Sequence, residues 1–296
     1  MTLARFFFGA IIGSFLDVVA SRYDPDKFLF ARQGIGGRSR CVSCGTVLRW
    51  FELIPLVSFI VQRGRCRTCK KRIAREHFFV EIISGLIVAY APLAVKASAA
   101  YWYEPRYLWL AESLWTVVLL ILFLIALIDA RLQLIPDEAN ILLAVAGIAL
   151  TFLGRASFGP GAGSFLGHYA YLFEFRDGIL INRVVGAGVA LVLFGFLVLV
   201  TKGRGMGVGD VKLAAVLGIV FGWPDALISF ALAFIVGSLF GLWHIFLRKG
   251  GLPADARWQA GMKSAVPFGP FLALGAALVF FFGEPLMRWY FSFIPL

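Results

Sequence analysis

The sequence predicts an all-α polytopic membrane protein of about eight transmembrane helices, with a small cytoplasmic four-cysteine zinc-binding module between helices 1 and 2. Three observations predict it. Of 296 residues, 60% are hydrophobic and 15% charged, with a mean hydropathy of +0.85; a soluble globular chain is nearer half apolar and a quarter charged. Several apolar runs reach the roughly 18–20 residues needed to cross about 30 Å of hydrocarbon. All four cysteines, and a dense share of the arginines, fall in one stretch, residues 21–77.

The expected spans run Leu3–Ala20, Phe78–Val95, Leu108–Ile128, Ala139–Leu153, Val184–Thr201, Val211–Gly222, Ala226–Leu247 and Phe268–Phe282. Met1 to Ala20 reads as the first span, because Gly13-Ser14-Phe15-Leu16-Asp17 is a weak cleavage context. Val211–Gly222 is short for a crossing and is set off from the next span by the turn signal Gly222-Trp223-Pro224. Placing residues 21–77 in the cytoplasm puts 21 of the 28 Lys and Arg inside and 7 outside, as the positive-inside rule requires. Both termini then lie outside. The net charge of +11 is explained by basic loops facing anionic lipid, and no nucleic-acid partner is expected. The organisation read from this is a first helix over 1–20, a zinc module over 21–77 and a membrane domain over 78–296. Residues 154–183 form a long external loop.

Cys41, Cys44, Cys66 and Cys69 make two C-x2-C pairs with 21 residues between them. Each pair is a turn that aims two sulfurs at one point, and two such turns supply the four soft ligands of tetrahedral zinc. Two disulfides are the alternative, disfavoured in a reducing cytoplasm. Four thiolate ligands leave no open position, so the metal expected is structural. Arg40, Arg65, Arg67, Lys70, Lys71 and Arg72 would favour the thiolates; they also suit a cationic face against phospholipid heads.

Asp129 ends the apolar run that begins at Leu119, and Asp210 follows Gly205-Met206-Gly207-Val208-Gly209. Carboxylates at membrane depth cost about 2.5–3.5 kcal/mol at a helix centre and are functional candidates by default. Both are expected at the cytoplasmic boundary. A close pair of Asp residues shares a proton, so one serves as acid while the other serves as base. Such a pair activates water against a peptide carbonyl and protonates the leaving amine. Gly207 and Gly209 would let a substrate backbone approach, and Lys212 lies beside them. The alternative is that both aspartates are interfacial caps, Asp210 being well placed on a helix dipole. The Gly-rich run lacks the ending and the preceding strand of a phosphate loop. Asp137, after Ile135-Pro136, is a helix start and the reserve candidate. Asp17 should face the bundle. His77, His168 and His244 suggest no site.

Together these pieces resemble the type IV prepilin peptidases, the membrane aspartic peptidases that process prepilins and type II secretion pseudopilins. The resemblance runs through Gly13-Ser14-Phe15-Leu16, the two cysteine pairs, Ile54-Pro55-Leu56-Val57-Ser58, Arg63-Gly64-Arg65-Cys66-Arg67 and Val80-Glu81. It continues with Asp129, Ile135-Pro136-Asp137, Gly205 to Lys212 and Pro267-Phe268-Gly269-Pro270. It implies cleavage after Gly at the end of a short basic leader at the cytoplasmic face of the bacterial inner membrane. It also implies methylation of the new N-terminal amine from S-adenosylmethionine. The catalytic pair carries over to Asp129 and Asp210. Glu52 and Glu81 are the candidates for the S-adenosylmethionine site.

The sequence departs from the family pattern at three places. Asp17 stands where Asn is usual. Arg131 stands where a second Asp often follows the first catalytic one, and Glu76-His77-Phe78-Phe79 stands where Arg-Tyr-Pro-Leu is usual. The alternatives are a peptidase without methyltransferase activity, or, from another class, a transporter or assembly scaffold with a zinc-stabilised module. An inverted repeat would mark the transporter, and none is evident.

Overall fold

The structure is a computed structural model that describes residues 1–29, 36–99, 102–154, 163–173, 178–203, 205–247 and 267–293. The basic loop 248–266, Arg155, Arg176, Arg204 and the side chain of His244 lie outside the described residues. Among the described residues there is helix and loop but no strand.

The α-helices are α1 (Thr2–Arg22), α2 (Val57–Val61), α3 (Arg75–Ala94), α4 (Leu108–Leu132), α5 (Asp137–Leu153), α6 (Ile179–Thr201), α7 (Val208–Phe221), α8 (Asp225–Leu247) and α9 (Gly269–Phe291). Each expected span falls on one of the eight long ones. Six are long and apolar enough to cross a membrane among the described residues. The other two, α5 with 17 residues and α7 with 14, reach only about 26 and 21 Å at 1.5 Å per residue. The eight expected spans therefore comprise six helices of crossing length and two shorter ones packed among them. The chain is an all-α, multi-pass membrane protein.

Helix α4 is the pivot, packing against α1, α3, α5 and α9. It ends where Gln133 takes the left-handed conformation (φ 53°) and donates its N–H to the Asp129 carbonyl at 2.8 Å. Pro136 then starts α5, with Asp137 and Glu138 in its first turn, where the helix dipole favours acids. Helices α1 and α3 lie in close apposition: a Cβ on Gly13 would sit 1.8 Å from Ser84 Oγ. That contact explains why the first helix carries glycine there.

Helix α9 runs to Phe291, nine residues past the expected end, through Pro285. Proline removes one helical hydrogen bond, but a break in apolar surroundings would orphan several more. Part of the long 154–183 connection is also visible. Phe165 packs edge-on against Trp102 and Trp115 and also meets Phe280, and residues Gly167–Phe173 form a 3-10 helix. This stretch seals the bundle end remote from the cysteines.

Candidate active site and metal centre

The two halves of the cysteine module fold alike. Each C-x2-C turn is closed by an antiparallel bridge, Arg40 with Val47 and Arg65 with Arg72. The Cys41 amide bonds Thr46 O at 2.9 Å, and the Cys66 amide bonds Lys71 O at 2.9 Å. Gly45 (φ 70°) and Lys70 (φ 60°) take the same left-handed turn position. The result gathers four sulfurs within 4.8 Å of one another, with Cys41 and Cys69 Sγ 3.8 Å apart and all four thiols free. A tetrahedron with Zn–S near 2.3 Å sets its sulfurs about 3.8 Å apart, so the donor set fits zinc. The thiols do not titrate alike. The Thr46 hydroxyl, then its backbone, push Cys44 down to about 6. Cys69 is helped by the Lys71 amide, yet burial and its neighbouring thiols push it up to about 11.

Glu52 and Glu81 are both engaged by the protein. Glu52 accepts the Arg49 N–H at 2.8 Å and lies 3.7 Å from Arg67. Glu81 accepts the Leu56 N–H at 2.8 Å, where Leu56 has φ 62°; it ties the module to α3. Both carboxylates are thus held in place by the protein itself.

Asp129 and Asp210 line one cavity of about 460 Å³. Asp129 comes from the last turn of α4 and is 4% exposed. Its Oδ2 accepts the Gly269 N–H at 2.8 Å, from the first residue of α9. A Cβ on Gly269 would lie 2.7 Å from that oxygen, so only glycine permits the approach. Asp210 comes from the first turn of α7, and its Oδ2 accepts the Gly207 N–H at 3.0 Å. No ion pair to either carboxylate is present among the described residues. Each therefore has backbone support, a hollow in front and no cation to hold it ionised.

Gly207, Gly209 and Lys212 line the same cavity, as do Asp137 and Glu138. Lys212 is turned onto Asp137, at 2.8 and 3.0 Å from its two oxygens. The lining holds four carboxylates against one ammonium, in a chain of net charge +11. Tyr23 and Pro25, just past α1, and Gln133, Leu134 and Ile135 complete the wall. Burial, then the Glu138, Asp137 and Asp24 carboxylates, push the Tyr23 phenol above its ordinary range. No local sequence signal marks these residues; they reach the cavity by helix packing. His77, which suggested no site, is on Asp17.

Residues 7–95 match the Bacterial Peptidase A24 N-terminal domain, and residues 116–242 match the Type IV leader peptidase family. A prepilin leader peptidase/N-methyltransferase of Aeromonas salmonicida is 30% identical, over 87% of this chain and 75% of its own. The chain belongs to the type IV leader peptidase family. A relative of the same description from Burkholderia pseudomallei is 30% identical over 94% of this chain and 84% of its own. One from Pseudomonas aeruginosa is 28% identical over 98% and 93%. No solved structure matches. As a member of this family the chain is an enzyme of the leader-peptidase type, and Asp129 and Asp210 both fall within the matched peptidase segment.

Proposed function

We propose that the chain is a membrane-embedded aspartic endopeptidase. It removes the short basic leader of type IV prepilins or type II secretion pseudopilins after Gly, at the cytoplasmic face of the inner membrane, and N-methylates the new N-terminus. One observation carries the peptidase: buried carboxylates from two helices, Asp129 and Asp210, line one acidic cavity. The cavity's charge suits a cationic leader, and its place at the ends of α4 and α7 suits a substrate whose apolar helix lies among the spans.

In this reading the pair shares one proton, because two adjacent carboxylates do not both ionise cheaply. The ionised member takes a proton from a water, whose oxygen bonds to the scissile carbonyl carbon. The protonated member donates to the amide nitrogen as the C–N bond breaks. The products are a leader ending in a carboxylate and a free pilin amine. The Gly269 N–H holds Asp129 in place, and the small residues Gly207 and Gly209 admit the substrate backbone.

The division into first helix 1–20, module 21–77 and bundle 78–296 is also a proposal. Zinc on Cys41, Cys44, Cys66 and Cys69 would supply a structural crosslink in a module too small to bury a core of its own. Methylation rests on the description of the relatives. S-adenosylmethionine would supply the methyl group, and no step through it follows from Glu52 or Glu81.

The test is incubation of the purified protein with a prepilin in detergent or nanodiscs, read by mass spectrometry. Leader loss is expected, together with the mass gain of one methyl group when S-adenosylmethionine is added. An intact precursor would reject the peptidase; leader loss without the gain would leave a peptidase alone.

A further inference from the structure

Asp17 is a carboxylate inside a membrane helix, 6% exposed, and outside the cavity lining. Its partners come from two other helices. Arg131 on α4 donates through Nη2 to Asp17 Oδ1 at 2.8 Å. His77, in the first turn of α3, donates through Nδ1 to Asp17 Oδ2. Arg131 also stands 3.8 Å from Glu76, which is exposed. The cluster joins α1, α3 and α4 at the last turn of α4, two residues beyond Asp129.

The last turn of a helix lacks onward partners for its carbonyls and frays unless something holds it. Here two ties act from different helices. On one side, Asp129 takes the Gly269 N–H from α9. On the other, Arg131 is fastened to α1, and α1 leads on to Tyr23 and Pro25, which form part of the cavity wall. A charge-assisted guanidinium–carboxylate bond is short and directional. A desolvated ion pair is weak evidence for stability but strongly penalises misplacement, because a partner left alone is a stranded charge.

We propose that the Asp17–Arg131 pair, with His77 on the second oxygen, is a positioning clasp for the peptidase site. It sets where the Asp129-bearing turn stands against the wall that α1 supplies. Asp17 and Arg131 touch no substrate; they act through Asp129. The inference rests on the assignment of Asp129 to catalysis.

The test is steady-state prepilin cleavage by the full-length protein carrying Asp17→Asn, Arg131→Gln, both together, or Arg131→Lys. Small misplacements of a catalytic group cost about ten- to a hundredfold in rate. Each single variant should lose about tenfold in kcat, with KM changed less than about twofold. The double variant should be no worse than the worse single, since partners in one network are not additive. Arg131→Lys should recover to within about threefold of the parent, because a single bond to Oδ1 is within reach of an ammonium. Parent-like kcat in folded variants, a loss confined to KM, or losses that multiply in the double would each overturn the clasp. A single variant can strand a buried charge and fail to fold; the double strands none and then decides alone. A double variant that does not fold makes the pair a structural tie only, and the proposal falls. Asp129→Asn is run beside them. Activity in that variant sinks the catalytic assignment itself, whereas its inactivity beside parent-like clasp variants sinks the clasp alone.

Discussion

Both ends of the helix bundle bury carboxylates, and they treat them differently. At the end remote from the cysteines, Asp225 is 0% exposed and accepts the Ser164 hydroxyl at 3.1 Å. Arg183, itself buried, donates to the Ile219 and Val220 carbonyls and so caps the end of α7. At the cysteine end, Asp129 and Asp210 are buried with a cavity in front of them and only backbone N–H groups behind. The lesson is that burial alone does not mark a reactive acid. A carboxylate sealed within the packed core ties segments of the fold together, and one facing a hollow is free to exchange protons with what enters it.

The largest expected effect separates these two kinds of acid. Asp129→Asn and Asp210→Asn should each lower prepilin cleavage by about 10³-fold or more, within the range that acid–base groups contribute. Asp225→Asn should leave the rate of the folded protein within about threefold. It should instead lower stability by about 1–3 kcal/mol, the usual cost of disturbing a buried hydrogen bond, read as a fall in thermal midpoint. A large kinetic loss in Asp225→Asn with normal stability would break the comparison.

Metal removal ranks next. The parent should carry about one zinc per chain, and Cys66→Ser or strong chelation should release it. Methylation should then be lost while cleavage falls less, because both aspartates lie outside the module. Equal loss of both would show that the module also shapes the peptidase site. Gly269→Ala follows, since its new Cβ would press on Asp129 Oδ2. Cleavage should drop about ten- to a hundredfold. Gly13→Ala, crowded against Ser84, should instead cost about 1–3 kcal/mol of stability. The smallest effect is Asp137→Asn. It breaks an exposed pair with Lys212 and should shift stability by less than about 1 kcal/mol and cleavage a few-fold.

The same contrast separates what was legible in the sequence from what was not. The membrane class follows from composition, and the thiol cluster from spacing within a short segment, because both are local. Asp129 and Asp210 stand out because an acid at the end of an apolar run is costly. That they share a cavity is not local: it depends on α4, α5 and α7 packing with their ends level. His77 drew no attention because its partner, Asp17, lies 60 residues away. The departures at Asp17, Arg131 and the stretch from Glu76 lie far apart along the chain. In three dimensions they meet, with an acid at 17 facing a base at 131. The 154–183 connection gave no sign of its sealing role, since Phe165 finds its neighbours on other helices.

The most direct test of the central claim uses a non-cleavable mimic of the leader junction, with a hydroxyethylene group in place of the scissile amide. Its hydroxyl stands where the attacked carbonyl would be, between the two carboxylates. Binding to the parent should be at least about 10²-fold tighter than that of the matching uncleaved peptide, as for transition-state analogues generally. The preference should vanish in both Asp129→Asn and Asp210→Asn. Equal binding of mimic and peptide to the parent, or a preference kept by both variants, would contradict an Asp129–Asp210 peptidase.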